Sequence, residues 1–226
     1  MKYKKSLFVF RRDYRLDDNT ALIQACKNSE QVILCFLFEK TLLNPNNLVF
    51  SEMRIRFMID SLKDLFLQVK QKNCNLLIKN NSVSSLISSS IIEDDISAIF
   101  MNKDNSPYGR FRDNQFKIFC DKNGIAFEPS DDLLLSHPGS VLKDDGTPFL
   151  VFTPFYHAAS KFFGSDHSFI SELYWRDFFT HLMYHFPYSQ KKEFQKKFQN
   201  LKWSQDRKKF EKWSKYKKRS TVVFQN

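Results

Sequence analysis

A chain of 226 residues with 42% hydrophobic and 16% aromatic residues is long enough to bury a core and has the composition of a globular protein. Its formal net charge is +10, from 35 Lys and Arg against 25 Asp and Glu. No apolar run is long enough to span a bilayer and the first residues show no signal-peptide pattern, so we expect a cytoplasmic protein with no membrane partner.

Apolar strands alternate with helical patterns through the first half of the chain. Five short apolar runs are predicted to be strands: residues 6–10, 31–37, 74–79, 97–101 and 125–128. Between them, helical patterns cover residues 20–27, 52–72, 83–92 and 110–122. This alternation predicts a five-stranded parallel α/β sheet with helices on both faces. Neither a G-x-G-x-x-G motif nor a P-loop is present to explain the sheet.

The first predicted strand runs directly into six charges among eight residues, from Arg11 to Asp18. In open α/β sheets, ligands bind at the carboxyl ends of the strands, which is where these charges lie. A solvated turn, in which Arg and Asp side chains pair with one another, would explain the same pattern. The residues alone leave both interpretations open.

Burial is predicted for the cysteines and for one side of the helix over residues 52–72. The four cysteines form no C-x-x-C pair and lie in apolar elements, so we expect reduced, buried thiols rather than a disulfide framework or a zinc site: Cys26, Cys35, Cys74 and Cys120. Seven apolar residues at helical spacing predict the buried side of the helix: Met53, Phe57, Met58, Leu62, Leu65, Phe66 and Val69.

The alternating pattern stops at residue 129. Residues 129–151 supply Pro, Gly, Asp and Ser at turn spacing and are predicted to be a connector. A later amphipathic helix ends before Pro187, with an apolar face predicted to contain Phe169, Leu173, Leu182, Met183 and Phe186.

One stripe of this later helix combines a carboxylate, an indole, a guanidinium and a phenyl ring, because Glu172, Trp175, Arg176 and Phe179 recur at helical spacing. The stripe is either a binding surface or an ion pair beside packed aromatic rings. His181 and His185 lie one turn apart, but neither the Glu of H-E-x-x-H nor a third ligand accompanies them, so no metal site is predicted.

The whole excess of positive charge lies in the C-terminal tail. Residues 191–219 hold thirteen Lys or Arg against three acidic residues, whereas the remainder of the chain is balanced at 22 against 22. Aromatic residues are interleaved with these lysines: Phe194, Phe198, Trp203, Phe210, Trp213 and Tyr216. Such a segment can bind a phosphate backbone and stack on bases, or it can be the solvated face of a helix whose aromatic side is core.

Four stretches, in order, resemble the DNA photolyase and cryptochrome family. "FVFRRDYRLDDNTAL" is similar to the family's opening strand and charged signature, and "FMNKDNSPYGRFRD" to a later strand end. "LKDDGTPFLVFTPFYHA" resembles the interdomain passage, and "FISELYWRDFFTHLMYHFP" the best-known helix of the flavin domain. The resemblance implies that Arg11, Arg12 and Asp13 hold loops in place rather than perform chemistry.

The family resemblance also implies an activity and its residues. Photolyases bind FAD in a helical domain and use its light-excited, reduced form to split pyrimidine dimers that are flipped out of DNA. By match, Glu172 would hydrogen-bond the lesion, Trp175 would stack on it, Arg176 would support the flavin side, and Phe179 would complete the DNA-binding stripe. Trp203 resembles the outermost tryptophan of the electron-transfer chain. Asn102 matches a pterin-contacting residue of a folate antenna, for which a deazaflavin is the alternative.

The sequence also departs from the family pattern. Gly164 and Ser165 stand where the family has the motif that grips the flavin phosphates, and the sequence after Trp213 differs from the family's flavin cradle. We therefore expect an α/β domain over residues 1–128, the connector over 129–151, and a partial helical FAD- and DNA-binding domain with a basic tail over 152–226.

Two functions follow from these expectations. The first is a photolyase by descent that binds dimer-containing DNA but whose repair activity is impaired. We expect such a protein to self-associate through its exposed apolar helix face. The second is a non-enzymatic module that binds nucleic acid through the basic tail without sequence preference.

Overall fold

The computed structural model describes residues 1–38, 46, 50–79, 95–163, 168–198 and 206–216. The helix expected over residues 83–92, the Gly164–Ser165 pair and Trp203 lie outside the described residues. Contacts divide the chain into two units, Met1–Pro187 and Tyr188–Asn226, and each is described on its own. Among the helices of the described residues, none is both long enough and apolar enough to cross a lipid bilayer.

A five-stranded parallel sheet forms the centre of the first unit. Its strands are β1 (Tyr3–Phe10), β2 (Ser29–Leu37), β3 (Leu76–Lys79), β4 (Ala98–Asn102) and β5 (Ala126–Ser130). They lie in the order β3-β2-β1-β4-β5, with Tyr3 of β1 paired to Ser29 and Ser6 paired to Ala98. The predicted five-stranded parallel α/β fold is confirmed. Because the strand order changes direction between β1 and β4, the carboxyl ends of these two strands form the topological switch point.

Six α-helices lie within the described residues: α1 (Thr20–Asn28), α2 (Glu52–Gln71), α3 (Pro107–Asn123), α4 (Phe152–Phe163), α5 (Ser168–His185) and α6 (Arg207–Tyr216). Side-chain caps begin the first three, since Asn19, Ser51 and Ser106 each accept a hydrogen bond from a backbone N–H of the first turn. Gly124 ends α3 at a φ of 67°, a left-handed conformation that favours glycine.

The core lies on both faces of the sheet. Leu7 and Val9 of β1 pack on one face in a cluster that includes residues of α3. Phe8 and Phe10 pack on the other face with residues of α1 and α2. Because successive strand residues point to opposite faces, a strand buried on both faces must be continuously apolar, as β1 is.

The buried side predicted for α2 is wrong for Met53 and Phe57 in its first half and for Phe66, which is 37% exposed, in its second half. Leu65 and Val69 are fully buried, whereas Met53 is 82% exposed and Phe57 is 73% exposed. The difference follows from tertiary packing, because the core cluster on this face takes α2 residues only from the later turns, from Met58 onward.

The predicted burial of the cysteines is correct for two of the four. Cys35 and Cys120 are buried, while Cys26 and Cys74 are exposed, and all four are free thiols. Cys26 follows the fully buried Ala25 on α1 and so points away from the core face. Cys74 lies in the turn between α2 and β3.

Helices α4 and α5 pack with the connector in a separate cluster around Phe155 and Phe178. The apolar face predicted for α5 is wrong in detail. Leu182 packs against this cluster, but Leu173, Met183 and Phe186 are only half-buried, and the side chain of Phe169 lies outside the described residues. The residues of α5 that are buried share one face at helical spacing and include two polar side chains: Tyr174, Asp177, Phe178 and His181.

Candidate functional site

The switch point between β1 and β4 is filled by the protein's own side chains. Arg11 forms an ion pair with Asp113 of α3, and its Nη1 donates to the Asn102 carbonyl oxygen at 3.2 Å. The Arg11 backbone N–H donates to Asp13 Oδ1 at 2.8 Å. Arg11 is 7% exposed and Asp13 is 4% exposed. These two residues of the charged stretch are therefore buried, and their contacts join the end of β1 to β4 and α3.

Asn102 lies at the centre of this switch point and is 3% exposed. Its Nδ2 donates to Asp13 Oδ2 at 2.6 Å and to Asn19 Oδ1 at 2.9 Å. Its Oδ1 accepts from the Ala21 N–H at 3.1 Å. The amide thus connects the end of β4 to the first turn of α1, and the cofactor contact expected for Asn102 stays a prediction.

Burial is the largest influence on the pKa values of the ionisable groups at this edge of the sheet. Desolvation lowers the pKa of Arg11 and raises the pKa of Asp113, although their ion pair opposes both shifts. Desolvation also acts against ionisation of Asp104, but hydrogen bonds from Ser106 and the charge of Arg12 outweigh it and lower the Asp104 pKa. Arg12 Nε lies 3.4 Å from Asp104 Oδ2. The Arg12 side chain is 67% exposed, whereas Arg11 is buried.

Beside the filled switch point lies a groove of about 590 Å³ between the end of β1 and α2. Charged, hydroxyl and aromatic side chains line it: Arg12, Asp13, Tyr14, Arg15, Phe57, Asp60, Ser61 and Asp64. Burial raises the pKa of Tyr14 to about 12, so its hydroxyl remains protonated at neutral pH. Five of these eight side chains are charged, and the rings of Tyr14 and Phe57 supply the aromatic walls of the groove.

The predicted stripe on α5 lies on the outer surface of the helix. Glu172 is exposed, Trp175 is 38% exposed and Phe179 is 58% exposed. The Arg176 side chain is 45% exposed, and its Nη2 lies 3.4 Å from Asp177 Oδ1. The structure therefore brings these four predicted site residues together on one accessible surface, which we call the α5 stripe.

An aromatic stack extends the α5 stripe onto α4. The ring of Phe152 stacks on Trp175 with centroids 3.5 Å apart and an interplanar angle of 9°. Phe179 stacks near the same indole with a centroid separation of 5.7 Å. Sequence reasoning missed Phe152, since its contact with Trp175 depends on how α4 packs against α5.

Polar contacts under the α5 stripe hold α5 to the connector. Asp177 is 2% exposed and accepts hydrogen bonds from the Ser136 N–H at 3.0 Å and the Ser136 hydroxyl at 3.3 Å. Burial raises the pKa of Asp177, although these bonds and Arg176 oppose the shift. Sequence reasoning missed this contact, because Ser136 and Asp177 are 41 positions apart.

The rings of His181 and His185 lie one turn apart and meet edge to face, with centroids separated by 4.6 Å and an interplanar angle of 63°. Burial, and then the neighbouring charge of His185, lower the pKa of His181 to about 4. Within the described ranges, no group of three or more His, Cys, Asp or Glu side chains is placed to hold a metal ion.

An FAD requires a concave site that buries most of its surface. The α5 stripe instead presents the half-exposed Trp175 and Phe179 on the outer side of a helix. Of the stripe residues, Arg176 is the one matched to the flavin side, and its side chain is 45% exposed on the same outer surface. In the described part of the chain, the α5 stripe is thus an open face, which does not bury an FAD.

The second unit carries the basic tail. It contains two 3₁₀ turns, Pro187–Gln190 and Lys196–Phe198, and helix α6. The residues described from Asp206 to Lys212 are all exposed, including Phe210 at 63%. Arg207 pairs with Glu211 at 3.3 Å, which leaves three exposed lysines on the same helix: Lys208, Lys209 and Lys212.

Comparison with known protein families agrees with the fold. The profile described as DNA photolyase matches residues 6–169, and the profile described as FAD binding domain of DNA photolyase matches residues 169–219. Together they define a flavoprotein-type architecture, an α/β domain followed by a helical domain. The chain belongs to the DNA photolyase family.

Individual relatives support the same assignment. A deoxyribodipyrimidine photo-lyase of Alkalihalophilus pseudofirmus is 31% identical over 156 residues, which are 67% of this chain and 32% of that protein. The chain spans about a third of the length of the curated photolyases it matches. A Sulfolobus tokodaii photolyase, solved with two FAD molecules, superposes with a TM-score of 0.79 at 24% identity, over 92% of this chain and 66% of its own. A class III photolyase from Agrobacterium tumefaciens gives a TM-score of 0.80 at 17% identity, over 95% and 66%. These two structures establish the likeness of fold.

Proposed function

We propose that this chain is a deoxyribodipyrimidine photolyase by descent and that it recognises DNA containing pyrimidine dimers through the α5 stripe. The observation that carries the proposal is the exposed grouping of Glu172, Trp175, Arg176 and Phe179 on one helix of a photolyase-family protein. A flipped nucleotide needs a stacking surface and a hydrogen-bonding group beside it, and the α5 stripe supplies both.

Each residue of the α5 stripe has a physical role in this proposal. Trp175, supported by Phe152, offers an aromatic surface that Phe179 extends, and stacking of this kind contributes about 1–3 kcal/mol per base. Glu172 accepts or donates a hydrogen bond at the carbonyl edge of the lesion. Arg176 supplies positive charge beside the phosphate backbone and the flavin side.

Light-driven repair is impaired in this proposal, because the described residues offer FAD an open face. We propose less than stoichiometric flavin after purification. The same open face presents the apolar side chains of Trp175 and Phe179, which supports self-association. We also propose that Trp203 is the outermost tryptophan of an electron-transfer chain.

Two measurements test the α5 stripe. Binding of an oligonucleotide that contains one thymine dimer should exceed binding of its undamaged copy, and Trp175→Ala should reduce that preference about tenfold, since tenfold corresponds to about 1.4 kcal/mol. Trp175→Phe keeps a stacking ring and serves as the matched control. Equal binding of damaged and undamaged DNA would overturn the lesion-recognition proposal.

The second measurement concerns repair. With added reduced FAD under blue light, dimer splitting should not exceed a dark control. Turnover above that control, lost in Trp175→Ala, would show that the chain is an active enzyme and that the open face does not prevent catalysis.

A second candidate function, nucleic-acid binding without sequence preference, is favoured by the exposed lysines and Phe210 of α6. Neutralising five or six phosphates predicts a slope of about −4 to −6 for log affinity against log salt concentration. Replacing Lys208, Lys209 and Lys212 together with Gln should weaken binding to any DNA and reduce this slope by about 3. An unchanged slope would exclude α6 as the phosphate-binding element.

We also propose that an antenna chromophore, a folate or a deazaflavin, binds in the α/β domain. The support is the groove beside Arg12, whose Tyr14 and Phe57 provide aromatic walls at the carboxyl edge of the sheet. Asn102 would reach such a ligand only by giving up contacts with protein groups. Titration with a folate and, separately, with a deazaflavin, followed by absorbance, tests this: saturable binding of either one that is lost in Phe57→Ala supports the groove, and binding of neither overturns it.

A further inference from the structure

Two of the four thiols are accessible, and neither belongs to the surfaces discussed above. Cys26 on α1 and Cys74 in the turn after α2 are exposed, whereas Cys35 and Cys120 are buried. Burial raises the pKa of both buried thiols to about 12, so they stay protonated and unreactive in the folded chain. Thiol chemistry in the native state is therefore restricted to Cys26 and Cys74.

The fold brings these two thiols to the same region. Helices α1 and α2 both connect parallel neighbouring strands, and both pack on the same face of the sheet in one core cluster. Each helix therefore ends at the amino edge of the sheet. Cys26 lies in the last turn of α1, next to the fully buried Ala25. The Cys74 N–H donates to the carbonyl oxygen of Val69 at 3.1 Å, and Val69 belongs to the same cluster as Ala25.

Electrostatics agree with this placement. Desolvation raises the pKa of Cys26, and negative charge on Cys74 raises it further. The turn that carries Cys74 is exposed from Gln71 to Asn75, and Asn73 within it has a φ of 56°. A disulfide needs its two Cα atoms within about 7 Å of each other, and an exposed turn adjusts to such a requirement more readily than a buried strand does.

We propose that Cys26 and Cys74 form a dithiol site that a small-molecule disulfide, such as oxidised glutathione, closes into an intramolecular disulfide between α1 and the α2–β3 turn. One protein thiolate attacks a sulfur of the oxidant, which breaks the oxidant's S–S bond and releases one thiolate. The second protein thiolate then attacks the protein-bound sulfur, forms the Cys26–Cys74 bond and releases the other thiolate. The two released thiolates take the two protons of the protein thiols, so one disulfide is reduced for each one formed.

The experiment uses the full chain at pH 8 with excess oxidised glutathione, followed by alkylation and mass spectrometry without reduction. The expected product is a monomer that has lost two hydrogens, with one peptide pair joined through Cys26 and Cys74. Cys26→Ser should instead accumulate a glutathione adduct at Cys74, and Cys74→Ser an adduct at Cys26. Because both side chains are exposed, serine in either position should leave the thermal transition unchanged.

Three results would overturn the proposal. They are stable glutathione adducts on both cysteines of the unmodified chain, a disulfide that joins two chains, and no reaction at either thiol. Unfolding in denaturant should release all four cysteines for alkylation in the untreated chain and only two in the oxidised one, which provides an independent count of the thiols consumed.

Discussion

Replacement of Asn102 by alanine should destabilise the α/β domain more than any surface substitution. The change removes the bond to the Asp13 carboxylate at 2.6 Å and the bonds to Asn19 and the Ala21 N–H at 2.9 and 3.1 Å. A hydrogen bond to a charged group contributes about 1.5–3 kcal/mol and a neutral one about 0.5–1.5 kcal/mol. The expected loss in the free energy of unfolding is therefore about 2.5 to 6 kcal/mol.

Urea denaturation of the full chain, followed by circular dichroism, measures this loss. Asn123→Ala is the matched control, because the Asn123 amide is exposed and donates only to a carbonyl of its own helix at 2.8 Å. We expect the control to change stability by less than about 0.5 kcal/mol. A loss below about 1 kcal/mol for Asn102→Ala would refute the argued role of this amide in joining β4 to α1, and would favour its alternative role as a cofactor contact.

Two further predictions concern acid stability and a close backbone approach. The folded chain keeps His181 neutral because its pKa is lowered to about 4, whereas the unfolded chain takes up a proton below about pH 6.5. The stability that His181 affects is thus present above pH 6.5 and is lost as the pH falls toward 4. His181→Gln should therefore flatten a plot of Tm against pH between pH 6.5 and 4, whereas His157→Gln, at an exposed position, should not. The same fall of Tm with pH in both variants would contradict this prediction. Gly109→Ala should lower Tm, the opposite of the usual gain for alanine in a helix, because its Cβ would lie 2.5 Å from the Asp104 carbonyl oxygen. A raised Tm would show that α3 does not approach this loop so closely.

The sequence was sufficient to predict the strands and most helices, because their signals are local. The apolar run of β1 indicates burial on both faces, and the caps Asn19, Ser51 and Ser106 stand directly before their helices. The α5 stripe was equally predictable, since helical geometry alone places Glu172 beside Arg176 on one surface.

Only the tertiary structure decided which of these residues are buried and what they contact. Asn102 meets Asp13 across 89 positions of sequence, and Ser136 meets Asp177 across 41. No local pattern encodes such contacts, so the exposure of Met53 and the burial of two polar residues on α5 could not be read from periodicity. Helical spacing determines which residues share a face, whereas the packing of distant segments determines which face is covered, because burial depends on neighbours that the local chain does not contain.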